Sequence, residues 1–320
     1  MRTRSWIRAS VAACCVLGTG GPCLGNSVSA PGYIVETYAA LDKPEELAFG
    51  AAGELYVGCN GDTPNGLARI YQVAPGGGGW VYYGNDEILD PDAVAFDAAG
   101  EITGQPGTVL VGGSPGFIKA IWPDQTVHPV VEGGVLSNPG ELLFDPDGQR
   151  LLIRDSGRRE VQMIRYAAPG LVEVLIDNLP ASPAAIAMDA TGRIFVGLAG
   201  GTIQVYAADG APLEPDFAQV PDTKDAYGLA VGPGGSVWGS DLYCVADGEL
   251  WRIDATSGNA VTMGTGFDNP SYDIAFGPDG ALYVSQKYGD LLRVQPIPEP
   301  LTALGLILAA GGLGAYLRRR

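Results

Sequence analysis

Apolar and polar positions alternate in short runs along most of this chain, and the runs recur. Six segments share a turn with Pro or a polar residue, a short apolar strand, a Gly-centred turn and a second apolar strand. They read KPEELAFGAAGELYVG from Lys43, DPDAVAFDAAGEI from Asp90, NPGELLFDPDGQRLLI from Asn138, SPAAIAMDATGRIFVG from Ser182, DAYGLAVGPGGSVWGS from Asp225 and NPSYDIAFGPDGALYVS from Asn269. Aligned on Phe49, Phe96, Phe144, Met188, Val231 and Phe276, the repeats lie 47, 48, 44, 43 and 45 residues apart. That spacing fits one four-stranded blade per repeat.

Each repeat then offers a third strand: LARIYQV from Leu67, GFIKAIW from Gly116, EVQMIRY from Glu160, TIQVYAA from Thr202, ELWRIDA from Glu249 and DLLRVQP from Asp290. Turns rich in Gly, Pro or Asp lead on to outer strands such as WVYYG from Trp80 and LVEVLI from Leu171. The sixth repeat runs out after three strands, and YIVETYAA from Tyr33 is left over at the other end. Pairing that strand onto the sixth blade closes the ring and removes its open edges. The predicted fold is therefore all-β, a six-bladed β-propeller closed by an N-terminal strand. Leu47 and Phe49 share one face of an inner strand, and Leu55 and Val57 share one face of the next, by the period-2 rule. An alanine stands immediately before the aligned residue in five blades (Ala48, Ala95, Ala187, Ala230 and Ala275), so small and large residues alternate near a narrow axis.

The two ends do not follow this pattern. Arg2, Arg4 and Arg8 precede a short apolar stretch from Ile7 to Gly18, and Val28-Ser29-Ala30 places acceptable residues at the −3 and −1 positions of a signal-peptidase site. Residues 1–30 are read as a signal peptide. Lipid attachment at Cys14, after Val11-Ala12-Ala13, would leave too short an apolar core. At the other end Pro298-Glu299-Pro300 precedes an uncharged run from Leu301 to Leu317, and the chain ends on Arg318-Arg319-Arg320. As a helix that run of seventeen residues spans about 26 Å, the short end of what crosses a bilayer. The basic triplet belongs on the cytoplasmic side, which leaves the propeller outside.

This order of triplet, apolar helix and basic end resembles the PEP-CTERM sorting tail of bacterial proteins processed by an exosortase. The resemblance implies signal peptidase and exosortase as processing partners. It also implies insertion in the inner membrane through a C-terminal transmembrane helix, followed by display at the cell surface or release. The expected organisation is 1–30 leader, 31–296 propeller and 297–320 sorting signal.

Charge narrows the partners. The chain carries 19 basic and 36 acidic residues, and the propeller region alone is at net −22 once the arginine-bearing ends and Glu299 are set aside. Such a surface repels nucleic acid and anionic lipid and attracts divalent cations diffusely. Only Cys59 and Cys244 lie in the propeller, and nothing in their spacing calls for a bridge. His128, the single histidine, falls on the predicted outer strand of the second blade, so Ser-His-Asp and His-metal schemes have no support.

The repeat unit is similar to that of the NHL and gluconolactonase-like six-bladed propellers, over nearly all of residues 33–296. In the gluconolactonase-like branch the resemblance implies a divalent cation at the channel mouth. Its ligands are a Glu, two Asn and an Asp placed about four residues before the aligned hydrophobe. That column here reads Glu45, Asp92, Gly140, Ala184, Tyr227 and Tyr272, so two carboxylates match in kind and the asparagines are missing. The next column reads Glu46, Ala93, Glu141, Ala185, Gly228 and Asp273. Its three acids point to one end of the channel, where they either hold Ca²⁺ or another divalent cation, or are solvated or paired with Lys43, Arg154 or backbone amides. Glu45, Glu46, Asp92, Glu141 and Asp273 are thus the candidate metal-binding residues.

Asp155 and Asp241 are expected to end the second strands of blades three and five, bonding local backbone. The DPDG and GPDG segments lack the alternating acids of a calcium loop and read as turns. Tyr227, Trp238 and Tyr272, with Trp80, Tyr82 and Tyr83, are available to stack on sugars or to pack between blades. The function expected is a binding or scaffold module of the envelope or extracellular matrix, with a polysaccharide or envelope protein as partner. The alternative is a metal-dependent lactonase-like hydrolase.

Overall fold

The computed structural model describes residues 28–59, 69–84, 88, 90–145, 147–220, 226–268 and 271–297. Most of the leader, the Asn60–Gly66 loop, the Pro298-Glu299-Pro300 triplet, the terminal apolar run and the three arginines fall outside them. Among the described residues, no helix is long and apolar enough to cross a membrane.

Six four-stranded antiparallel sheets make up the described fold. Five are continuous in sequence, with inner strands Pro44–Phe49, Pro91–Asp97, Pro139–Asp145, Pro183–Met188 and Gly228–Val231. The sixth takes Ser271–Phe276, Leu282–Gln286 and Leu291–Pro296 from the end of the chain and Tyr33–Ala39 from its start. That N-terminal strand pairs Tyr33 with Pro296 and Thr37 with Leu292, so the ring closes as the leftover strand requires. Four inner strands begin on a proline, where no ladder N–H is needed.

Between neighbouring sheets lie apolar layers. One joins Ala93, Leu110 and Ile118 of blade two to Leu142, Leu151 and Ile164 of blade three; another joins Phe195 and Ile203 of blade four to Leu229 and Leu242 of blade five. Cys59 and Cys244 are buried free thiols within such layers. His128 sits on the outer strand Val127–Val131 and stacks on Trp122 at 3.8 Å between ring centroids.

Blade five departs from the sequence reading. Its second strand is Leu242–Ala246, not the SVWGS segment, and Asp241 precedes that strand instead of ending it. Gly234, Gly235 and Gly239 adopt left-handed φ values, which make residues 232–241 a folded-over loop. The loop closes through Gly232 N–H donating to Asp241 O at 2.8 Å. Burial of Trp238 explains the detour, because that side chain fills the gap between blades five and six. Asp241 pairs with Arg252 instead. Asp155 does end its strand and accepts from the Ser137 and Asn138 N–H groups at 2.8 and 3.0 Å.

Candidate functional site

Bulges in the inner strands build one end of the channel. Pairing with the second strand slips between Pro44 and Leu47, Pro91 and Ala93, Pro139 and Glu141, Pro183 and Ala185, and Ser271 and Ile274. A bulge turns the extra residue out of the ladder and re-aims its side chain. The residues at or beside these bulges are those of the two columns read from the sequence. All six members of the first column, Glu45, Asp92, Gly140, Ala184, Tyr227 and Tyr272, line a single cavity of about 380 Å³ at the channel mouth.

Glu45 and Asp92 are close enough to raise each other's proton affinity within it. Burial, with the Asp92 and Asp90 charges, pushes Glu45 up to about 8. Burial and Asp90 push Asp92 up to about 6, against a hydrogen bond from Ser114. Ser114 Oγ lies 3.3 Å from Asp92 Oδ2 and 3.1 Å from Asn138 Oδ1, joining blades two and three at the rim. Tyr227 and Tyr272 meet edge to face at 5.9 Å and form the aromatic side of the cavity. Ser156 and Ser182 add hydroxyls opposite, with Ser182 Oγ donating to Ser156 O at 3.0 Å.

Arg154 forms the floor. At equivalent positions on the second strand, blades one, two and four carry Gly58, Gly112 and Gly197, whose Cβ would press on the next inner strand. Blade three alone carries a long side chain there, paired across the ladder with Glu141. The guanidinium donates to Gly140 O and, at 3.3 Å, to Pro183 O. It lies 3.7 Å from both Glu46 and Glu141. Gly140 is a glycine for this reason, since a Cβ there would collide with Arg154 Nη2 and Cζ. Gly140→Ala is expected to displace Arg154 and cost roughly 1–3 kcal/mol as an overpacking substitution; thermal denaturation measures it.

The second column converges beneath that floor. Asp273 Oδ2 accepts from Leu47 N–H of blade one at 2.9 Å, and Glu141 Oε2 accepts from Ile186 N–H of blade four at 2.6 Å. In both cases an acid three residues before the aligned hydrophobe clips an N–H two residues before that of the next blade. Asp273 also shares a hydrogen bond with Glu46. Burial, reinforced by the neighbouring acids, holds Glu46 and Glu141 well above the carboxylate range. Burial raises Asp273 to about 7 against its amide donors.

Glu46, Glu141 and Asp273 are therefore brought together on Arg154 and on backbone amides, while Glu45 and Asp92 stand apart in the cavity above. Among the described residues no group of three or more His, Cys, Asp or Glu side chains is arranged to hold a metal ion. The one signal in the sequence for the floor was an isolated arginine where other blades place glycine.

No protein-family model matches this chain, and no curated protein sequence does. Solved structures do resemble it. A gluconolactonase from Xanthomonas campestris superposes with a TM-score of 0.63 at 16% identity, over 82% of this chain and 89% of that one. A carbohydrate-active enzyme from Trichoderma reesei gives 0.60 at 12% identity, over 88% and 100%. Virginiamycin B lyase from Staphylococcus aureus gives 0.55 at 14% identity, over 83% and 89%. At these identities the likeness establishes a shared propeller fold, and the chemistry must be argued from the mouth cavity itself.

Proposed function

We propose that this chain is an exported propeller, displayed at the cell surface by its sorting tail, whose mouth cavity binds a polyhydroxylated ligand, the glycan of an envelope or matrix polysaccharide. One observation carries the reading: a mixed donor–acceptor cavity with an aromatic side, in which a neutral carboxyl adjoins an ionised one. Near neutrality Glu45 keeps its proton and donates, while Asp92 accepts. Sugar hydroxyls need both kinds of partner, and the tyrosine rings offer faces for C–H groups. The acidic exterior disfavours nucleic acid and suits a neutral glycan.

The alternative, a lactone hydrolase, is favoured by the same carboxyl pair, since two acids with separated proton affinities can serve as acid and base. Several structural neighbours are enzymes named for lactone, sugar or macrocycle substrates. A divalent cation for that chemistry would fall to Glu45 and Asp92. Gly140 and Ala184 supply no side-chain oxygen, and Arg154 brings a positive charge into the same cavity. These residues do not fit a full set of hard oxygen ligands, so no step is derived through a metal.

Calorimetric titration of the exported protein separates the readings. The expected result is saturable binding of a neutral matrix polysaccharide, lost in Asp92→Asn combined with Tyr272→Ala, and only weak, salt-sensitive uptake of Ca²⁺, Zn²⁺ and Mn²⁺. Stoichiometric cation binding together with turnover of a lactone panel would replace the binding reading by the hydrolase.

A further inference from the structure

A second cavity, of about 250 Å³, occupies the channel on the far side of the acidic cluster. Its walls are apolar, with Ile186, Met188, Leu229, Ile274 and Phe276 among them, and Glu46, Glu141 and Asp273 close its inner end. Glu46 lines both cavities, Arg154 only the mouth, and Glu141 and Asp273 only this one. The axial order is therefore mouth, guanidinium, carboxyls, apolar shaft. Met188, Val231 and Phe276 are half-buried at its other end, where the shaft opens on the face opposite the mouth.

We infer that this shaft is a binding site for an organic ammonium ion with a short alkyl chain, which enters from the face opposite the mouth. The chain would lie along Leu229, Ile274 and Met188, and the ammonium would meet Glu141 and Asp273.

Charge and shape both select that ligand. Three carboxyls face one guanidinium, and the guanidinium is already engaged by two backbone carbonyls on the mouth side. The cluster therefore lacks positive charge on its shaft side. Without a ligand the deficit is met by protons, in keeping with the raised proton affinities of all three acids. An alkylammonium supplies the missing charge as hydrogen-bond donors and buries its chain against apolar walls. Inorganic cations cannot use the walls, and alcohols cannot supply the charge. A carboxylate would be repelled.

Hexylammonium is the probe, titrated calorimetrically at about pH 7 into the exported protein, with hexanol, hexanoate and methylammonium as comparators. Hexylammonium is expected to bind saturably at one site, at least about tenfold tighter than hexanol or methylammonium. Hexanoate should not bind. Uptake should release protons to the buffer as Glu46, Glu141 and Asp273 ionise, seen as a heat that changes with the buffer's ionisation enthalpy. Glu141→Gln should weaken the amine and leave hexanol unchanged. The proton release is read on the unaltered protein, so the test survives if that variant fails to fold. Equal binding of hexanol would reduce the shaft to an apolar pocket, and equal binding of methylammonium would reduce the effect to diffuse attraction by an acidic surface. Either result, or no saturable hexylammonium binding, overturns the site.

Discussion

Replacing Arg154 by methionine should lower the melting temperature far more at pH 8 than at pH 5. The guanidinium is the one cation among Glu46, Glu141 and Asp273, and its side chain is only 12% exposed. Removing one partner of a buried ion pair typically costs about 3–5 kcal/mol, because the other charge is left uncompensated. For a domain of this size that corresponds to a fall on the order of 10 °C.

The pH dependence has a definite sign. Asp273 rises from 3.8 to about 7 on folding, and Glu46 and Glu141 rise well above the usual carboxylate value. The folded protein thus holds protons that the unfolded chain has released. Stability associated with these groups is fully present below about pH 4 and is lost as pH rises, for Asp273 through about 7 and for the two glutamates beyond it. Without Arg154 their ionisation becomes harder still and the loss steeper. At pH 5 the acids are largely neutral, leaving mainly the loss of hydrogen bonds to Gly140 O and Pro183 O, roughly 1–3 kcal/mol. Glu141→Gln added to Arg154→Met should recover part of the deficit at pH 8. A deficit equal at both pH values would show that the three acids are not coupled to the arginine.

How far the sequence revealed this arrangement depends on the length scale of each interaction. The blades, their inner-strand register and the closing strand were readable because each follows from a period: two along a strand, and 43 to 48 along the chain. Register alone placed Glu45 and Asp92 in one cavity and Glu46, Glu141 and Asp273 in one cluster. What it did not reveal is where a long side chain goes. Arg154 leaves its own blade to reach Glu46 of blade one and Pro183 of blade four, and it dictates the glycine at 140. Two columns of acids that look alike in sequence are split by that guanidinium into an open pair and a buried, proton-holding cluster. Blade five was misplaced for a related reason. The repeat pattern assumed a tight turn after Val231, whereas Trp238 is drawn into a neighbouring interface and takes the intervening glycines with it.

That tryptophan carries the second large effect. Trp238 is fully buried where three parts of the ring meet. It stacks on Tyr33 of the N-terminal strand at 4.9 Å and 25°, and packs edge to face on Tyr243 of blade five and Phe276 of blade six, each at 5.3 Å. Its Nε1–H donates to Gly280 O at 2.8 Å, and its own carbonyl accepts from Tyr243 Oη at 2.6 Å. Trp238→Ala should therefore cost about 3–5 kcal/mol through the cavity left behind, on the order of a 10 °C fall in melting temperature. Trp238→Phe keeps an aromatic ring and should lose much less, about 1–3 kcal/mol for the unsatisfied Gly280 carbonyl. The location of the damage matters more than its size. If Trp238 holds the closing strand against blade five, amide exchange in Trp238→Ala should rise first in Tyr33–Ala39 and its partner Leu291–Pro296. Uniform loss of protection around all six blades would instead mean that strand pairing alone closes the ring and that Trp238 is ordinary core. The first outcome makes a loop that breaks the repeat the latch of the whole ring.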